Sequence, residues 1–353
     1  MPPLGVLRCT VQAHAEQREQ REQREHREYC EDRTPRGVIE AHGLRREFGD
    51  QVAVDDVSFR VPDGSVIALL GPNGAGKTTT VRLLAALLSP TAGQATVAGF
   101  DVRTNPEAVR ARIGLVTDTP GLFDQMTPDA YLDFFGQIYG VPADLRRNRI
   151  EELLTMFELL QVRGRHMASF SRGMQQKVAL ARALLHDPEV VFLDEPTAGL
   201  DPMAARAVRS LILRLKDASR SIVLCTHDLD EAERLADTVV ILRRGRIVAA
   251  DAPARLRANA ASETRVEIVL SGDCDAASRI AARVHDIVDV AQRTPRSLTY
   301  RTRRPASTNP DVIAALVAAG AQIVSVTCET PTLEDVYADV VEAEPAEPAG
   351  VPG

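Results

Sequence analysis

The chain is short of lysine, aromatic side chains, paired cysteines and long apolar runs, and each shortage narrows what it can be. Among 42 basic side chains lysine occurs only at Lys77, Lys177 and Lys216, a bias we read as genomic composition. The exception then matters, because at Lys77 a compact ammonium stands where arginine is otherwise used. No run approaches the roughly 18 uninterrupted apolar residues of a spanning helix, and the apolar stretch at 81–88 is short and broken by Arg82. The N-terminal region lacks the apolar core of a secretory signal, so a cytoplasmic protein is expected, with any membrane link made through a partner. Cys9, Cys30, Cys225, Cys274 and Cys328 are odd in number and scattered, which excludes a metal cluster of the usual spacings and suits a reducing compartment. A formal net charge of −7 gives no electrostatic footprint for nucleic acid. At 353 residues the chain is long enough for a sizeable core and two or three domains.

What is present is concentrated in short motifs. Gly71, Pro72, Asn73, Gly74, Ala75, Gly76, Lys77, Thr78 and Thr79 spell G-x-x-x-x-G-K-T directly after the apolar run 65–70. A strand, a glycine-rich turn and a helix in that order make a phosphate-binding loop, whose successive N–H groups and helix N-terminus converge on an anion. Lys77 is placed to reach the β- and γ-phosphates of a nucleoside triphosphate, and Thr78 to offer its hydroxyl to Mg²⁺. A second apolar run, 190–193, ends in Asp194 and Glu195 and reads as a buried parallel strand. Adjacent strand residues point to opposite sides, which gives the two carboxylates different tasks. Asp194 suits a Mg²⁺ site, and Glu195 suits the general base that polarises the attacking water.

These two motifs, with three more in order, resemble the nucleotide-binding subunits of ABC transporters. Phe170-Ser171-Arg172-Gly173-Met174-Gln175-Gln176 is similar to the family's L-S-G-G-Q signature, Gly199-Leu200-Asp201 to its D-loop, and His227 to its switch histidine. The resemblance runs from about residue 38 to 248 and implies a P-loop α/β ATPase core that binds ATP and Mg²⁺. It also implies a head-to-tail dimer, in which Ser171 and Gly173 of one copy close over the γ-phosphate held by the other. Ser171 also fits as a plain helix cap, worth about 1 kcal/mol. Phe48 resembles the family's aromatic residue that stacks on adenine, and Asp201 joins the nucleotide-facing set. Asp118 stands where the family carries a glutamine that ligates Mg²⁺. A carboxylate suits that metal but cannot donate a hydrogen bond as an amide does.

The remaining organisation follows from composition. Glu16-Gln17-Arg18 recurs through 27 with no apolar seam, so residues 1–37 read as a disordered extension or as upstream sequence from a misplaced start. Residues 38–252 make the ATPase, with a helical subdomain at about 124–172, where Tyr131, Phe134, Phe135 and Tyr139 fall on one helix. In the family a membrane permease docks on that subdomain. Residues 262–340 alternate strands with helices, including a helix from Pro310 to Ala319, and suggest a small ferredoxin-like α+β domain. Thr332-Leu333-Glu334-Asp335-Val336-Tyr337 resembles the terminus of type 2 exporter ATPases. The Pro-, Ala- and Glu-rich tail 341–353 reads as disordered. The resulting expectation is the ATP-hydrolysing subunit of an exporter, bound to a separately encoded permease on the inner face of the membrane. An importer or soluble-assembly ATPase, or a low-turnover ATP-gated module, stands as the alternative.

Overall fold

The computed structural model describes residues 39–217, 220–260, 264–329 and 332–342. The expected extension at 1–37 lies outside the described residues, as do residues 343–353 of the expected tail.

Two sheets build the body. Strands β1 (Ile39–Phe48), β2 (Gln51–Val61), β4 (Ala92–Val97) and β5 (Phe100–Asp101) form an antiparallel sheet in the order β2-β1-β4-β5. The second contains β3 (Val66–Leu70), β6 (Ile113–Val116), β7 (Val190–Asp194), β8 (Ser221–Cys225), β9 (Thr238–Arg243) and β10 (Arg246–Asp251), in the order β10-β9-β3-β8-β7-β6. Its pairings are parallel except that of β10 with β9. Every residue of β3, β7 and β8 is buried, which is why these strands read as unbroken apolar runs. Alternation still sorts them by face. Val191, Leu193, Ile222 and Leu224 enter a core shared with the helices, whereas Val190, Phe192, Val223 and Cys225 enter one shared with β1, β2 and β4.

Helix α1 (Lys77–Leu84) leaves β3, and α2 (Pro106–Arg110) leads into β6. The helical subdomain consists of α3 (Pro128–Ile138) and α4 (Ala143–Met156), and it is joined to the body by α5 (Arg172–Leu184). Thr127 caps α3 by accepting from the Ala130 N–H, and Pro128 occupies its first turn. Helix α4 buries only Ile150, Leu153 and Leu154, and its solvated first half carries no apolar period. Helices α6 (Pro202–Asp217), α7 (Leu229–Leu235) and α8 (Pro253–Ala260) complete this unit.

The C-terminal unit runs β11 (Thr264–Leu270), α9 (Asp275–Ala281), β12 (Ile287–Thr294), β13 (Ser297–Thr302), α10 (Pro305–Ala318) and β14 (Ile323–Glu329), with its antiparallel sheet ordered β12-β13-β11-β14. That is a ferredoxin-like βαββαβ arrangement, closed by Val266, Ile268, Leu298, Tyr300, Val312 and Leu316. Strand β12 escapes a sequence reading because no residue in it is fully buried. The helix expected from Pro310 starts at Pro305, and Pro310 lies inside it. Pro305 fits there because its fixed φ and missing N–H suit the first helical position.

The chain's last described helix, α11 (Leu333–Glu342), does not belong with residues 262–340 as expected, and it carries order into residues 341 and 342. Leu333 and Val336 pack with Ala68 and Leu70 of β3, Ala232 of α7, Val239 and Ile241 of β9, and Leu256 of α8. The T-L-E-D motif has a local cause as well. Thr332 donates its N–H and hydroxyl to Asp335 Oδ2, both at 2.7 Å, and the Asp335 N–H returns to Thr332 Oγ1 at 3.2 Å. This reciprocal box starts the helix, and those bonds hold the Asp335 carboxyl below its usual range.

Candidate functional site

The site lies at the carboxyl ends of β3, β7, β8 and β6, where open α/β sheets bind ligands. The loop between β3 and α1 is pressed against the body. A Cβ on Gly71 would collide with the Leu242 carbonyl, and Gly76, at φ 102°, turns the chain into α1 against the Ala53 carbonyl. Ala75 is buried beneath, while Pro72, Asn73 and Gly74 form the exposed rim. Lys77 is buried, and its Nζ donates to the carbonyls of Gly71 and Pro72. Thr78 Oγ1 donates to Asp194 Oδ2 at 2.9 Å, and Thr79 is half-buried on the next step of α1.

Strand β7 ends at Asp194. Glu195 then takes a left-handed backbone, φ 51°, with its N–H on the Cys225 carbonyl at 2.9 Å. The divergence of the two carboxylates therefore comes from this strained turn as much as from strand alternation. Glu195 Oε2 meets His227 Nδ1 at 2.8 Å, on a largely exposed imidazole that follows β8. Burial pushes the Asp194 carboxyl above its usual range, Asp118 and Glu195 push it the same way, and the Thr78 hydroxyl and Lys77 oppose them. Asp118 sits two residues past β6, exposed, with Oδ1 accepting the Thr119 N–H at 2.8 Å.

Among the described residues no three His, Cys, Asp or Glu side chains stand close enough to chelate a metal by themselves. The donors present nonetheless fit Mg²⁺, which takes one or two protein oxygens and completes its shell with water and substrate phosphates. A threonine hydroxyl already meets a carboxylate here, and the neighbouring acids leave negative charge in excess of what Lys77 offsets.

Ser171, Gly173 and Asp201 form a second group. Ser171 caps α5 by accepting the Met174 N–H at 3.3 Å, so the capping role is real in the single chain. Gly173 packs on Ala204 where a Cβ would crowd it, and Asp201 caps α6 by accepting the N–H groups of Met203 and Ala204 at 3.0 and 2.9 Å. The guanidinium of Arg172 fills the space over Gly199, leaving no room there for a Cβ. Among the described residues no hydrogen bond or ion pair joins this group to Lys77, Thr78, Asp194 or Glu195. Phe48 ends β1 with 46% of its surface exposed, its ring under the Arg46 guanidinium at 4.7 Å. Its hairpin reaches the loop through Ala53.

Sequence reasoning passed over Thr197, Thr226 and Glu231. Thr197 Oγ1 donates to Glu231 Oε1 at 3.0 Å, and Glu231 is fully buried. A carboxylate in the acidic run 228–233 reads as solvated helix surface, so no signal marked it.

A phosphate-binding loop facing an acid pair on a parallel sheet defines a P-loop nucleotide-hydrolysing protein. The profile of the family described as "ABC transporter" matches residues 54–198. The daunorubicin resistance ATP-binding protein DrrA3 of Streptomyces coeruleorubidus is 36% identical over 301 residues, covering 85% of this chain and 94% of that protein. The Nod factor export ATP-binding protein I of Ralstonia nicotianae is 37% identical over 219 residues, 62% of this chain and 69% of that protein. A solved structure titled as the ATP binding subunit of an ABC transporter superposes with a TM-score of 0.58 at 33% identity, covering 63% of this chain and 92% of its own. The chain belongs to the ABC transporter family, among its ATP-binding ATPases. Relatives named for resistance and export do not favour the importer or soluble-assembly alternative.

Proposed function

We propose that this chain hydrolyses ATP to drive an exporter, acting as a head-to-tail pair of copies on a separately encoded permease at the inner face of the membrane. The observation that carries the reading is the 2.8 Å contact of Glu195 with His227 beside the 2.9 Å contact of Thr78 with Asp194. In this reading the loop 71–79 wraps the phosphates with its N–H groups, and Lys77 exchanges its two carbonyl partners for the β- and γ-phosphates. Thr78, Asp194 and Asp118 would hold Mg²⁺, which when bound neutralises charge developing on the phosphate oxygens. Glu195 takes the proton of the attacking water. His227, donating from Nδ1, keeps that carboxylate turned toward the γ-phosphate. Phe48 offers a stacking face to the adenine ring. Ser171, Gly173 and Asp201 complete the site of the other copy, using the N-terminus of α5 as an anion site.

No helix among the described residues is long and apolar enough to cross a membrane, which fits a subunit that reaches the bilayer through another chain. Co-expression with its permease in a drug-sensitive host tests the whole reading. Efflux should require both chains and vanish with Lys77→Ala. Efflux that survives Lys77→Ala would refute an ATP-driven exporter.

A further inference from the structure

We propose that Glu231, which no motif singles out, is a positioning residue that sets the alignment of the Glu195–His227 pair from beneath. The inference rests on the assignment of that pair as the catalytic one. Glu231 lies on α7 with no exposed surface, and Thr197 Oγ1 donates to its Oε1 at 3.0 Å. The hydroxyl of Thr226 lies beside the same carboxyl and favours its charged form. Thr197 follows Glu195 by two residues, and Thr226 immediately precedes His227, so one buried residue is linked to the stems of both catalytic side chains, by its carboxyl to the first and through Asp228 to the second. The tie is reinforced locally: the Glu231 N–H donates to Asp228 Oδ1 at 3.0 Å, and the Asp228 N–H donates to Thr226 Oγ1 at 3.0 Å.

Plain structural economy does not explain this group. Burial pushes the carboxyl above its usual range against the two threonine hydroxyls, and Oε2 is buried with no hydrogen-bond partner. Burying an incompletely satisfied carboxyl opposes folding. What the arrangement supplies is a buried side-chain tie beneath two loops that are already joined by the Glu195 N–H on the Cys225 carbonyl at 2.9 Å. Glu195 itself sits in a left-handed turn at φ 51°, and a turn of that kind relaxes unless its surroundings hold it.

The test separates positioning from folding and from nucleotide binding. Glu231→Ala removes the acceptor, and turnover should fall on the order of 10²-fold, as misplacement of a reacting group does. KM for ATP and binding of a fluorescent ATP analogue should stay at wild-type values, because the loop 71–79 is untouched. Glu231→Gln keeps the acceptor oxygen and replaces only the unpartnered Oε2, so it should restore turnover with a native melting profile. In a Glu195→Gln background Glu231→Ala should add nothing, since residues acting as a unit are non-additive. Wild-type turnover in Glu231→Ala, lost turnover in a folded Glu231→Gln, or an additive effect in the Glu195→Gln background would overturn the proposal. Wild-type turnover in Glu195→Gln alone would instead overturn the assignment of the pair on which it rests.

Discussion

Replacing Leu333 by alanine tests whether the C-terminal helix α11 is part of the ATPase body. Leu333 is fully buried among Ala68 and Leu70 of β3, Val239 and Ile241 of β9, and Ala232 of α7. The substitution removes three methylene-sized groups at about 0.8 kcal/mol each and leaves a cavity, which together amount to about 3 kcal/mol. At roughly 2–4 °C per kcal/mol for a unit of this size, the melting midpoint should drop by roughly 6–12 °C. Val324→Ala is the control, because that side chain is 65% exposed on β14 and should shift the midpoint negligibly. Hydrogen exchange locates the damage. Peptides covering residues 66–70 and 229–235 should exchange faster in Leu333→Ala, while 264–329 should be unchanged. An unaltered midpoint, or faster exchange confined to 264–329, would place α11 with the ferredoxin-like unit and refute the packing argument.

Asp118→Ala should raise the Mg²⁺ concentration needed for half-maximal hydrolysis and Asp118→Gln should largely restore it; an unchanged Mg²⁺ dependence in the alanine variant would remove Asp118 from the metal shell. His186 donates from Nε2 to the Ile113 carbonyl at 2.9 Å and stacks on Tyr139 at 4.2 Å, and burial holds its imidazole below the ordinary value. Its neutral form therefore favours folding above about pH 6.5, the unfolded value, and that contribution is lost as pH falls through the depressed folded value. Acidification from pH 7.5 to 5.5 should lower the midpoint less in His186→Phe than in wild type. Of the helical subdomain's aromatics Tyr131 is core, with no exposed surface, whereas Phe134 is 43% exposed. Phe134→Ala should abolish co-purification with the permease and spare the basal ATPase rate; retained co-purification would move the docking surface elsewhere.

The nucleotide site was largely legible because phosphate chemistry imposes particular residues at short, fixed spacing. Glycines at 71, 74 and 76, the ammonium of Lys77, and the acids at 194 and 195 all stand within single local segments. What escaped depends on distant or inverted relationships. The apolar face of α11 finds its target in β3, far upstream, so nothing local distinguished it from the final helix of the small domain. Strand β12 is an edge strand with no fully buried position, and alternation cannot register without burial. Glu231 reads as solvent-facing charge and is buried instead. Arg172 stands within the signature segment 170–176. Within the chain its guanidinium covers Gly199.

Phosphate release by Glu195→Gln decides whether Glu195, held by His227, is the base for ATP hydrolysis. Turnover should fall by roughly 10²–10⁴-fold, the usual contribution of a positioned base, while ATP affinity stays intact and ATP with Mg²⁺ traps a dimer on size exclusion. A Glu195→Gln protein that hydrolyses ATP at the wild-type rate, with ATP bound, would show that Glu195 is not the base.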